Sequence, residues 1–121
     1  MQIVKGWTDG DELRERVYQV AGNPQNGAGV KLDTCETYGS GFDSLCAIWS
    51  DPDFDPTHSA FYYARVIENP VCRWSQRMCA AAGVRCHDPD TIGEGFEDCC
   101  SKQHRPIVQE RAWTSPIWYQ P

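Results

Sequence analysis

Seven cysteines in 121 residues, five of them between positions 72 and 100, constrain this chain more than any other feature. Such a density belongs to chains folded in an oxidising space, where cysteines pair as disulfides, or to chains that hold a metal. The two outcomes imply opposite roles. Cross-links make the Cys-rich half structural, whereas thiolates make it a site. The length suits one domain burying roughly two-thirds of the surface of its extended chain, so the cysteines need not replace a missing core. They are expected instead to hold a long segment whose own residues cannot pack. An odd count leaves one thiol free or paired outside the chain, and the pairing of the other six stays open.

Seventeen Asp and Glu against eleven Lys and Arg give a net charge of -6. The nearest approach to a basic cluster is Lys102 and Arg105, separated by Gln103 and His104. Nucleic-acid binding, which draws on grouped cations, is therefore excluded as the expected role. No apolar run reaches the length needed to cross a bilayer, so this segment is not expected to insert directly. Residues 2–20 mix polar and apolar side chains and do not read as a signal peptide. With oxidised cysteines, the export signal is expected in a leader or parent chain outside these residues.

Residues 1–7 alternate Gln2, Val4 and Gly6 against Ile3, Lys5 and Trp7, the pattern of an opening strand. Asp9-Gly10 then supplies a hairpin turn, and residues 14–20 the returning strand, with a short helix over 12–21 as the alternative. Residues 21–37 read as a loop. Residues 44–50 form a short apolar element around Cys46, and the loop between Cys35 and Cys46 is short enough to favour that pair, worth on the order of 2 to 4 kcal/mol.

The strongest strand follows the acidic turn at 51–56. Phe61, Tyr63, Arg65 and Ile67 share one face, and Tyr62, Ala64, Val66 and Glu68 the other, which predicts a central strand covered on both sides. A helix starting at Pro56 is the alternative. A helix over 73–82, ended by Gly83, precedes a stretch from 84 to 102 that lacks core periodicity. Strands at 107–113 and 117–119 close the chain. The fold class expected is mainly β, an immunoglobulin-like or related β-sandwich, complete or cut short, with long loops, one short helix and disulfide cross-links. Residues 69–106 are expected to be a Cys-rich excursion between strands.

Two metal readings arise. Cys86, His87, Cys99 and His104 offer zinc-type ligands, but without a Cys-x-x-Cys spacing, and adjacent Cys99 and Cys100 suit one ion poorly. Asp51, Asp53 and Asp55 match the first, third and fifth positions of a calcium loop, but Pro56 and Tyr62 stand where Gly and Glu are needed. Turn chemistry explains Asp before Pro as well. No context selects a nucleophilic cysteine beside His58, His87 or His104, and no glycine loop carries a phosphate-binding ending. Neither catalytic residues nor a cofactor are expected. The seven cysteines, Cys35, Cys46, Cys72, Cys79, Cys86, Cys99 and Cys100, are read as disulfide formers with one left over. Trp49, Trp74 and Trp113 are the candidates for an interface, while Tyr62, Tyr63 and Trp118 are assigned to the core.

The segments Ile3-Val4-Lys5-Gly6-Trp7, Asp51-Pro52-Asp53-Phe54-Asp55-Pro56, Phe61-Tyr62-Tyr63-Ala64-Arg65-Val66, Pro70 with Arg73-Trp74-Ser75, and Gln109 through Tyr119 together resemble the C-terminal end of the bacterial domain-of-unknown-function family 3604. Its members are large secreted or membrane-anchored proteins related to PHP-type metal-dependent phosphoesterases, and their His/Asp metal motifs lie upstream of such a segment. The resemblance implies a single C-terminal accessory β domain spanning 1–121, packed against the upstream catalytic domain of the same chain and located in the extracellular space or periplasm. A carbohydrate or cell-surface binding module is the alternative. A homodimer through an exposed sheet edge, and an acidic turn at 51–55 reaching the parent active site, are further expectations.

Overall fold

The computed structural model describes all 121 residues. In chain order the elements are β1 (Gln2–Asp9), β2 (Glu12–Gln19), β3 (Gly29–Val30), β4 (Thr37–Tyr38), β5 (Ala60–Ile67), β6 (Val71–Cys72), α1 (Trp74–Ala81), β7 (Ile107–Val108), β8 (Arg111–Trp113) and β9 (Ile117–Tyr119). They fall into two compact units. The first comprises Met1–Pro24, Phe42–Ile67 and Arg111–Pro121, and the second Gln25–Gly41 and Glu68–Glu110. With three antiparallel sheets, one short helix and three disulfides, the fold is mainly β and consistent with a β-sandwich-like domain.

The first unit is one antiparallel sheet in the order β2-β1-β5, with β8 and β9 both pairing the outer side of β5. Asp9 opposes Glu12, so the hairpin turn holds Gly10 and Asp11; only Gly10 has positive φ, at 61°. That is the glycine-first arrangement of a type II′ turn, whose twist matches the strands it joins. The β-branched and aromatic side chains of β5 suit a pleated surface, and it takes the central place expected of it. The segment 49–56 packs over one of its faces, while on the other Phe61, Tyr63 and Arg65 are half-buried. The final strand region is also divided: β7 pairs with β6 in the second unit, while β8 turns to β5.

Gly6 lies directly opposite Phe61, and a Cβ added at Gly6 would run into the Phe61 ring. The ring therefore lies down over the glycine, covering backbone that has no side chain of its own. Gly29 and Tyr38 repeat the arrangement in the second unit, again as directly opposed residues.

The second unit contains two two-stranded sheets, β3-β4 and β6-β7, and α1. Its buried apolar residues are Val30, Cys72 and Cys79, so two of the three are half-cystines. Cys35 bonds Cys72, Cys79 bonds Cys99, and Cys86 bonds Cys100. The expected Cys35–Cys46 pair does not form. Cys35 sits in a tight turn with φ 56°, closed by its N–H donating to the Lys31 carbonyl at 2.8 Å, and meets Cys72 at the end of β6 instead. Cys46 is exposed and free, in the first unit. The apolar element expected at 44–50 is irregular, with Ile48 fully exposed, because Pro-rich turns follow it and no strand edge receives it.

Candidate functional site

The two faces of the five-stranded sheet are chemically different. One carries Lys5 and Trp7 from β1, Arg16 and Tyr18 from β2, and Tyr62 from β5. It is covered by the segment 49–56. Lys5, 3% exposed, forms an ion pair with Asp51 at 2.6 Å and donates to the Asp53 carbonyl at 2.8 Å. Its ammonium also lies 4.9 Å from the centre of the Trp7 ring, a favourable cation–π placement. Asp51 accepts further hydrogen bonds from the Tyr62 hydroxyl at 2.7 Å and the Asp53 N–H at 2.9 Å, with the Tyr18 hydroxyl at 3.4 Å. Burial alone would raise the Asp51 pKa, but these bonds from Lys5, Tyr62 and the Asp53 amide outweigh it and hold the carboxyl below its ordinary value.

Asp53 reaches outward to Arg16 and Tyr18, at 2.7 Å from each. Asp55 turns to Thr57, accepting from its hydroxyl at 2.7 Å and its N–H at 2.8 Å; those bonds lower the Asp55 pKa. The three carboxylates of the calcium reading are thus each engaged by protein donors, with the Tyr18 hydroxyl between Asp51 and Asp53, and they do not gather as a metal-ligand cluster. Desolvation and the hydrogen bond to Asp51 push the Tyr62 hydroxyl up to about 12. Trp49 completes the cover, with ring centroids 4.9 Å from Tyr18 and 6.1 Å from Tyr62. Every hydrogen-bonding group at the centre of this network is satisfied within the protein, so its chemistry is to fasten the 49–56 segment to the sheet.

The opposite face is open. Phe61, Tyr63, Arg65 and Ile67 of β5 alternate onto it, joined by Trp118 opposite Phe61, Trp113 opposite Arg65 and Arg111 opposite Ile67. These residues, with Pro116, line a groove of about 530 Å³. A second groove of about 430 Å³ shares Phe61 and Trp118 and extends to Leu13. Phe61 and Tyr63 hold their rings parallel within 7°, with centroids 6.4 Å apart, and Trp118 leans on Phe61 at 5.3 Å. Trp113 and Trp118 are 67% and 69% exposed, and Leu13 is 87% exposed. Exposed aromatic surface of this kind is a general signature of contact surfaces.

The family model for a protein of unknown function, DUF3604, matches residues 1–121, the whole chain. The chain belongs to the DUF3604 family. No curated protein and no solved structure matches it. The three disulfides of this DUF3604 chain are consistent with an extracytoplasmic location, and no helix is long and apolar enough to cross a membrane.

The residues singled out for chemistry in the DUF3604 chain are distributed rather than gathered. Cys86 and Cys99, half of the zinc set, are spent in different disulfides and offer no thiolate. His104 shares a 2.8 Å hydrogen bond with Gln76, and His87 is exposed. Of the interface candidates, Trp74 is exposed on α1 and Trp113 lines the open groove, but Trp49 is half-buried in the covered face. Trp118, assigned to the core, is instead an exposed wall of the groove, 69% open to solvent at the sheet's edge. Arg65 and Arg111 were not singled out. The alternation on β5 already placed Arg65 beside Phe61 and Tyr63, and that was the available signal.

Proposed function

We propose that this chain is a non-catalytic accessory domain of a larger exported protein, lying C-terminal to a catalytic domain related to PHP-type metal-dependent phosphoesterases and packed against it. The supporting observation is the open aromatic face of the sheet, where Trp113, Trp118 and Phe61 present apolar surface that a partner domain would bury. The family membership extends over the whole chain. Secretion or membrane anchoring comes through the parent, in keeping with the disulfides.

Self-association through the exposed β2 edge fits less well. A symmetric antiparallel pair keeps each face aligned, so the two registers of greatest overlap centre on Glu15 or on Arg16. The first sets Glu15 against its own copy and Arg14 against Arg16; the second sets Arg16 against itself. Like charges therefore guard this edge. A carbohydrate-binding role draws support from the parallel Phe61 and Tyr63 rings, which present stacking surface for a sugar.

The accessory reading predicts that the 121-residue chain, supplied with zinc, manganese or magnesium, shows no turnover of phosphomonoester or phosphodiester substrates. Steady hydrolysis that disappears on substitution of Asp53 or Asp55 would overturn it, and would place a catalytic centre in the acidic turn.

A further inference from the structure

The first unit contains five Lys and Arg side chains. Lys5 pairs with Asp51, Arg14 with Asp9 and Glu12, and Arg16 with Asp53. Arg65 and Arg111 are the two without a carboxylate, and both line the larger groove, which has no acidic residue in its walls. Their placement is specific. Arg65 opposes Trp113 and Arg111 opposes Ile67, so the two residues stand on one face at diagonal positions of neighbouring strands, with about 7 to 8 Å between backbones, and both line one groove.

Arg65 is also held in place. Its Nε and Nη2 both donate to Gln2 Oε1, at 3.0 and 2.7 Å, which fixes the guanidinium plane and leaves Nη1 without a protein acceptor. Neither guanidinium has a carboxylate partner, although the chain carries seventeen Asp and Glu, and none of these lines the groove. A bidentate guanidinium next to indole rings recognises a carboxylate attached to an apolar body.

We propose that the groove is a carboxylate clamp: it takes an extended acidic peptide segment, with one Asp or Glu side chain between Arg65 and Arg111 and neighbouring apolar side chains against Trp113 and Trp118. This rests on the docking reading for the use of the face, and adds the chemistry of the occupant. A Glu rather than a Gln in the segment is preferred because the clamp supplies two full positive charges and no acceptor. Charge complementarity selects this occupant over a neutral apolar strand, which would leave both arginines unmatched, and over a second copy of the chain, whose own groove is equally cationic.

The test uses a blocked leucine–glutamate–leucine tripeptide, its glutamine counterpart and galacturonic acid as probes, titrated into the 121-residue chain while the indole N–H signals of Trp113 and Trp118 are followed by NMR. The glutamate peptide is expected to shift both signals and to bind at least about fivefold more tightly than the glutamine peptide, an advantage that shrinks with added salt. An Arg65→Gln/Arg111→Gln double variant should bind the two peptides equally. Because the first comparison is made on the unaltered chain, it stands even if the variant folds poorly. Equal binding of the two peptides by the unaltered chain would overturn the clamp. Stronger shifts from galacturonic acid than from the glutamate peptide would overturn the peptide assignment in favour of a sugar. The docking reading has a separate readout, the protection of Trp118 in the proposed parent protein: a glutamate preference without that protection sinks docking and keeps the clamp, and protection without the preference does the reverse.

Discussion

Replacing Asp51 with asparagine is expected to destabilise the first unit by about 3 to 5 kcal/mol, as read from chemical denaturation. The side chains of Lys5 and Asp51 are only 4% and 6% exposed, so removing the anion strands an ammonium that water cannot reach. The loss exceeds that of a typical surface ion pair, which contributes less than about 1 kcal/mol. A double variant, Lys5→Met with Asp51→Leu, should recover at least about 1 kcal/mol of it, because no uncompensated charge is then left behind. A single-variant loss below about 1 kcal/mol would show that the 49–56 segment is held by something other than this pair.

The same network sets the response to pH. Asp51 and Asp55 have folded-state pKa values below 3.8, their ordinary value. Each therefore contributes stability that is present above pH 3.8 and is lost as pH falls through the depressed folded-state value. Tyr62 runs the other way: its stabilising effect is complete below pH 10 and is lost as pH rises from 10 towards 12. The first unit is thus expected to weaken in acid below about pH 4 and in alkali above about pH 10, with Asp51→Asn flattening the acid limb.

Reduction of the three disulfides is expected to unfold the second unit while leaving the sheet of the first in place. The cross-links span separations of 37, 20 and 14 residues, each worth about 3 to 4 kcal/mol by loop-closure entropy. Their sum exceeds what a unit of this size holds in reserve. Little else resists, since Val30 is its one buried apolar residue that is not a cystine half. Amide spectra recorded with and without reductant distinguish the outcomes. Signals from α1, β3 and β6 should collapse towards unfolded positions while those of β1, β2 and β5 persist. Retention of the second unit after full reduction would show that its short strands and helix are stable without their cross-links.

What the sequence made legible follows from how local each signal is. The β1-β2 hairpin could be read from the Asp-Gly turn and the flanking alternation, and β5 from its run of aromatic and β-branched residues, because strand preference and period-two patterning reside within a few neighbouring positions. The helix at Trp74–Ala81 was bounded by Gly83 in the same way. Disulfide pairing is not local. Cys35 lies closer in sequence to Cys46, yet meets Cys72, since the turn at 31–36 is brought to β6 by contacts that no spacing rule contains.

The candidate site was half visible for a related reason. Alternation assigned Phe61, Tyr63 and Arg65 to one face, but whether a face is covered depends on where other segments go. The segment 49–56 covers the Lys5 side because Asp51 finds a buried cation there. On the other side Trp118, an ordinary core residue by composition, stands on the short edge strand β9 and becomes an exposed wall. The acidic turn, read as a loop with a metal-like spacing, proves to be the fastener of the covered face.

Hydroxyl-radical footprinting of the tryptophans, on the 121-residue chain alone and joined to the larger parent protein that the proposal assigns it to, tests the central claim most directly. In the isolated chain Trp113, Trp118 and Trp74 are 67%, 69% and 75% exposed and should all be oxidised rapidly. In the parent protein the docking account predicts that Trp113 and Trp118 react several-fold more slowly, with Trp74 on α1 as the unprotected reference. Equal oxidation of Trp113 and Trp118 in both proteins would contradict it.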